Sequence, residues 1–104
     1  MIKIAPSILS ADLLMIKKQV QKVDKAGADY IHIDIMDGQY VSNITFGPNI
    51  VRSLKKITNK VLDVHLMINN ANKYLKDFAD AGSDIICFHP ETVSNPKNTI
   101  KKIK

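Results

Sequence analysis

His32 and Asp34 stand two residues apart in the segment Tyr30-Ile31-His32-Ile33-Asp34-Ile35-Met36, and His65 stands in Val61-Leu62-Asp63-Val64-His65-Leu66-Met67. On an extended strand, side chains two apart share a face and lie about 7 Å from each other along the backbone. If the two segments are neighbouring parallel strands, two imidazoles and a carboxylate converge on one face. That donor set suits a divalent metal such as zinc or iron. The alternative for a lone histidine is a hydrogen-bonded core side chain. Asp34 weighs against it, because a carboxylate on an inward-facing position is costly unless it is paired or metal-bound.

The elements that must carry these groups are legible from pattern. Four short β-branched runs have strand length and composition: Ile2 to Ala5, Tyr30 to Met36, Val61 to Met67 and Asp84 to His89. Helical signatures lie between them. The first runs from Ser10 as N-cap through Leu13, Leu14, Val20 and Val23 to Gly27, and the second starts near Pro48 with Ile50, Val51, Leu54 and Ile57. The third spans about Ala71 to Ala81 and stops at Gly82, and the fourth opens at Asn95-Pro96. The order βαβαβαβα predicts right-handed crossovers and a parallel sheet. An internal echo supports it: Ala26-Gly27-Ala28-Asp29 precedes the second run and Ala81-Gly82-Ser83-Asp84 the fourth.

Parity separates the two folds that this order allows. His32, Asp34 and Met36 fall on one face of their strand and three isoleucines on the other. Isoleucines toward an outer ring of helices, with polar groups toward an enclosed interior, fit a (βα)8 barrel. A doubly wound sheet is covered on both faces and has little use for such a polar row. Cys87 and His89 share a face of the fourth run and read as core residues.

Composition limits the function classes. The 104 residues are 45% hydrophobic and 24% charged, with fifteen isoleucines, which excludes disorder and points to one domain, residues 1–104. One cysteine excludes a disulfide scaffold or multi-cysteine zinc module and predicts a reduced, cytoplasmic setting. No apolar run approaches a membrane span. The net charge of +5 invites a nucleic-acid reading, but Lys97, Lys101, Lys102 and Lys104 supply four of those charges within the last eight residues. A solvated lysine-rich helix surface is the expected reading, with no nucleic-acid partner.

Four longer segments carry a resemblance. Ala5-Pro6-Ser7-Ile8-Leu9-Ser10-Ala11-Asp12, His32-Ile33-Asp34-Ile35-Met36-Asp37-Gly38, Asn43-Ile44-Thr45-Phe46-Gly47-Pro48 and Asp63-Val64-His65-Leu66-Met67 resemble the signature segments of ribulose-phosphate 3-epimerases, in that family's order and spacing. Gln39 stands where the family usually has His or Arg, and Ser42 where it usually has Pro. The resemblance implies an α/β TIM barrel, of which this chain supplies about the first four βα units, since a whole barrel takes about 250 residues. It implies an isomerase interconverting D-ribulose 5-phosphate and D-xylulose 5-phosphate, a homo-oligomer at full length, with a ketose phosphate as small-molecule partner.

Carried over by position, His32, Asp34 and His65 match the family's ligands to one divalent ion (Zn, Fe, Co or Mn). Asp34 also matches its proton-transferring carboxylate, Ser7 and His65 its substrate contacts, and Met36 and Met67 its pocket-lining methionines. The implied chemistry is removal of the C3 proton, acidified by the C2 carbonyl, through an enediolate. Inversion requires a second acid on the opposite face. None of Asp77, Asp80, Asp84 or Glu91 is suited to it, Glu91 being at most a pocket-rim residue. The 104 residues alone are therefore expected to be incomplete for turnover. Two other readings stand beside this one: an epimerase of another ketose phosphate such as allulose 6-phosphate, and a non-catalytic metal-binding half-barrel.

Overall fold

A computed structural model describes all residues, Met1 to Lys104. Three strands, β1 (Tyr30–Met36), β2 (Val61–Met67) and β3 (Ile85–Phe88), form one parallel sheet in the order β1-β2-β3. Helices α1 (Ile16–Lys25), α2 (Pro48–Lys55), α3 (Leu75–Ala81) and α4 (Pro96–Ile103) alternate with them. None of these helices is long and apolar enough to cross a membrane.

Period-two burial sorts the strands as expected. Ile31, Ile33 and Ile35 of β1 and Leu62, Val64 and Leu66 of β2 are buried, and the residues between them are half-buried. The helices bring Val20, Val51, Leu54, Leu75 and Phe78 into the same core cluster as these six. Each fully buried aliphatic side chain contributes roughly 2 kcal/mol relative to exposure. The opposite face of β1 and β2 is thereby left to His32, Asp34, Met36, Asp63, His65 and Met67.

Local chemistry sets the helix ends. Pro48 and Pro96 occupy the first turns of α2 and α4, and Asn95 caps α4 by accepting the Asn98 N–H at 3.2 Å. Gly82 ends α3 in the left-handed region at φ +117°, where a β-carbon would sit 2.9 Å from Lys55 Cγ. The start of the first helix differs from expectation. Ser10 caps nothing: Ser7 and Asp12 cap two short 3-10 turns, Ile8–Ser10 and Leu13–Met15, before α1 begins at Ile16. Leu13 and Leu14 are exposed as a result.

The sheet also has three strands where four are expected. Ile2 to Ala5 runs beside β1 without a regular ladder. The Ile4 carbonyl accepts the N–H groups of both Asp29 (3.0 Å) and Tyr30 (3.2 Å), and the Ile4 N–H goes to the Asp29 carboxylate at 2.8 Å. Pro6 has no N–H to offer and only accepts from His32 N, at 2.9 Å. One parallel bridge, Ser7 to His32, completes the contact.

The sequence echo has a shared role. Asp84 donates its N–H to the Leu62 carbonyl at 3.0 Å and accepts the Leu62 N–H on its carboxylate at 2.9 Å. Asp29 makes the same reciprocal pair with Ile4. Each aspartate thus clamps the start of the preceding β-like segment.

Candidate metal centre

Register places the chemistry. In the parallel pairing of β1 with β2, His32 lies opposite Asp63 and Asp34 opposite His65, all on the face turned away from the core. Asp34 Oδ1 is 3.1 Å from His32 Nε2 and 3.1 Å from His65 Nδ1. The ligand atoms of His32, Asp34 and His65 all lie within 4.8 Å of one another. These are the three residues the sequence nominates as metal ligands, and they converge.

The other ring nitrogen of each histidine is engaged. His32 Nδ1 is 2.8 Å from Asp63 Oδ2, and His65 Nε2 is 2.8 Å from His89 Nε2. One nitrogen per ring therefore remains directed at Asp34 Oδ1. Two imidazole nitrogens and a carboxylate oxygen, each half-buried, fit a divalent cation such as zinc by donor type.

Asp34 Oδ2 accepts a hydrogen bond from the Ser7 hydroxyl at 2.5 Å. Burial pushes the Asp34 carboxyl up, but the Ser7 hydrogen bond, the charge of His32 and the bonds from both histidines together hold it below its ordinary value. Burial pulls His32 down. The Asp63 hydrogen bond and the charges of Asp34 and Asp63 outweigh that and raise it above the usual histidine value. Asp34 is thus an ionised carboxylate at neutral pH, with one oxygen toward the histidines and the other toward Ser7.

Met36 and Met67 are register partners two residues beyond Asp34 and His65 on the same face, and both are half-buried. Thr45 ties the following loop to this point: its hydroxyl donates to the Asp34 carbonyl at 2.7 Å and accepts the Met36 N–H at 3.0 Å. Asp37 then accepts N–H groups from Gln39, Tyr40 and Asn69 at 2.8 to 2.9 Å, which joins the loops after β1 and β2. Burial acts upward on its carboxyl, and these backbone donors bring it below the ordinary range. Tyr40 reaches the third loop, donating its hydroxyl to Glu91 at 2.5 Å. Glu91 is exposed and is held in place by this bond.

Two residues near the centre lie outside the set assigned from sequence. Asp63 carries the same period-two signal as His65, two positions earlier on the same strand face, and that signal suffices to place it beside His32. His89 reads as core by sequence; instead it packs between the rings of His65 and Tyr40, with centroids 4.9 and 5.0 Å away. Cys87, also expected in the core, is exposed: it lies opposite His65 in the β2–β3 register, on the face turned away from the core. Burial and the nearby Asp63 charge push its thiol up, which leaves it protonated and weakly nucleophilic.

A family model described as the ribulose-phosphate 3 epimerase family matches residues 3–104. The chain belongs to this family. Among curated relatives, a ribulose-phosphate 3-epimerase of Synechocystis sp. is 54% identical over 95 residues, covering 91% of this chain and 41% of that protein. The ribulose-phosphate 3-epimerase of Bacillus subtilis is 50% identical over 104 residues, all of this chain and 48% of that protein. The Escherichia coli ribulose-phosphate 3-epimerase is 44% identical over 102 residues, 97% of this chain and 45% of its own. The chain spans about half the length of the curated epimerases it matches.

Proposed function

We propose that this chain contributes the metal-binding, proton-abstracting face of a TIM-barrel epimerase that interconverts D-ribulose 5-phosphate and D-xylulose 5-phosphate. One observation carries the reading: Asp34 faces two histidine nitrogens with one oxygen and the Ser7 hydroxyl with the other. Family membership supplies the substrate class.

His32 Nε2, Asp34 Oδ1 and His65 Nδ1 are the groups that would hold one divalent ion, Zn, Fe, Co or Mn. When bound, such an ion supplies Lewis-acid polarisation to the substrate's oxygens. Asp34, ionised at neutral pH, takes the proton from C3 on Oδ2, and the electron pair of the C–H bond passes toward the C2 carbonyl to give an enediolate. Ser7 donates to the same oxygen and orients it. His65 and Ser7 contact the substrate, and Met36 and Met67 line the pocket beneath it, an apolar surface that keeps water from the carbanionic carbon.

Inversion requires a proton returned from the other face. Asp63 is engaged by His32 and Glu91 by Tyr40, so neither is available for that return. Residues 1–104 taken alone therefore exchange the C3 proton with solvent and do not invert the carbon. The test incubates the metal-loaded chain with D-ribulose 5-phosphate in deuterium oxide and follows C3 by NMR. Deuterium at C3 without xylulose 5-phosphate, abolished by Asp34→Asn, is the expected result. No exchange by the unaltered chain removes the Asp34 assignment, and full epimerisation removes the division of labour.

A further inference from the structure

We infer that Asp63 and His89 are positioning residues that fix the tautomers of His32 and His65, so that each ring offers one chosen nitrogen to a metal. The inference rests on the metal reading above and assigns roles to two residues outside the ligand set. A neutral imidazole has one N–H and one lone pair, and only the lone pair can ligate. At His32 both ring nitrogens face carboxylates, Nδ1 that of Asp63 at 2.8 Å and Nε2 that of Asp34 at 3.1 Å. With a cation taking the Nε2 lone pair beside Asp34, the ring's one N–H must sit on Nδ1, where the Asp63 carboxylate accepts it.

At His65 the choice is opposite, with Nδ1 facing Asp34 and Nε2 facing His89. Two imidazole nitrogens 2.8 Å apart need one proton between them. When a cation takes the His65 Nδ1 lone pair beside Asp34, the ring's proton must sit on Nε2, and the His89 Nε2 lone pair accepts it. His89 is itself held. The Thr92 hydroxyl donates to its carbonyl at 2.7 Å, and Tyr40, anchored by Glu91, packs against its ring. The two histidines thus use different nitrogens because their outer partners come from different strands: Asp63 opposite His32 on β2, and His89 just past the end of β3.

Cobalt(II) affinity of the full 104-residue chain tests this, measured by competition with a chelator and by the visible spectrum of the bound ion. Asp63→Ala and His89→Ala are expected to weaken binding about ten- to a hundredfold, the usual effect of removing a partner of a ligating histidine. Asp63→Asn and His89→Gln, whose amide oxygens still accept the ring N–H, recover most of that loss. Affinities of both alanine variants within twofold of the parent overturn the inference while leaving the metal reading intact. The metal reading fails separately, if His32→Ala and His65→Ala bind cobalt as tightly as the parent. Nitrogen-15 NMR of the zinc-loaded chain reads the tautomers directly. Protons on His32 Nδ1 and His65 Nε2 are expected, and a proton on His32 Nε2 or His65 Nδ1 in the parent overturns the inference.

Discussion

Ser7 and Asp34, 27 residues apart in sequence, meet through a hydroxyl donated to a carboxylate at 2.5 Å. Ser7 is brought there by the short bridge that sets it beside His32, the residue two before Asp34 on β1. The irregular N-terminal segment is therefore part of the site and not merely an edge of the sheet.

Ser7→Ala follows directly. Loss of a donor to an ionised acceptor costs about 1.5–3 kcal/mol of stabilisation of the charged form, so the Asp34 carboxyl titrates at higher pH than in the parent. Because folding lowers the Asp34 pKa, its contribution to stability is whole above the unfolded value and disappears as pH falls through the folded one. The variant narrows that window. Carbon-13 NMR of the Asp34 carboxyl reads the midpoint, and an unchanged or lower value contradicts the assignment of Ser7.

Thr45→Val removes two hydrogen bonds while keeping the shape, one to the Asp34 carbonyl and one from the Met36 N–H. About 1–2 kcal/mol of stability should be lost. The loop after β1 should also loosen, seen as faster amide exchange at Met36 and Gly38. Parent-like exchange at both amides means that Thr45 does not hold the loop.

Phe78→Ala empties the largest fully buried side chain of the core. A loss of roughly 3–5 kcal/mol is expected, a large share of the stability of a small domain. Urea unfolding measures it. A loss under 1 kcal/mol would mean that α3 is not packed against the sheet as described.

Acid sensitivity has a component at Asp84. Burial raises its carboxyl, but the Leu62 N–H and the Lys55 ammonium, 2.7 Å away, bring it below the ordinary value. The unfolded chain then binds the proton first, so this contribution is complete above about pH 4 and is lost as pH falls through the folded pKa. Asp84→Asn should cost only about 0.5–1 kcal/mol near neutrality, since the carboxylate is 39% exposed and solvent screens the pair. It should also flatten the acid limb of a melting-temperature profile. An acid limb as steep as the parent's assigns the effect elsewhere.

Much of this was open to pattern reading. Strict alternation in β1 and β2 decides which residues enter the core, and that one periodicity puts His32, Asp34 and His65 together. Helix stops at Gly82 and starts at Pro48 and Pro96 follow from single-residue stereochemistry. The failures have equally local causes. Ile2 to Ala5 has strand composition, but Pro6 and the doubly engaged Ile4 carbonyl break the ladder. Leu13 and Leu14 fit a helical stripe, yet Asp12 caps a 3-10 turn there that leaves them outside. Cys87 and His89 look like core by residue type; only the β2–β3 register shows that Cys87 sits opposite His65 on the open face and that His89, just beyond β3, meets the His65 ring.

The two aspartate clamps lie at the entrance of the strands, Asp29 before β1 and Asp84 before β3, while the histidines, Asp34 and the knitted loops lie toward the exit. A slip of one residue between parallel strands would turn the whole polar row into the aliphatic core. Each clamp pins one neighbouring pair at its entrance, the Ile4 segment against β1 and β2 against β3, so substitutions in the exit loops leave both anchors untouched. Anchorage and chemistry are thus housed at opposite poles of the same strands.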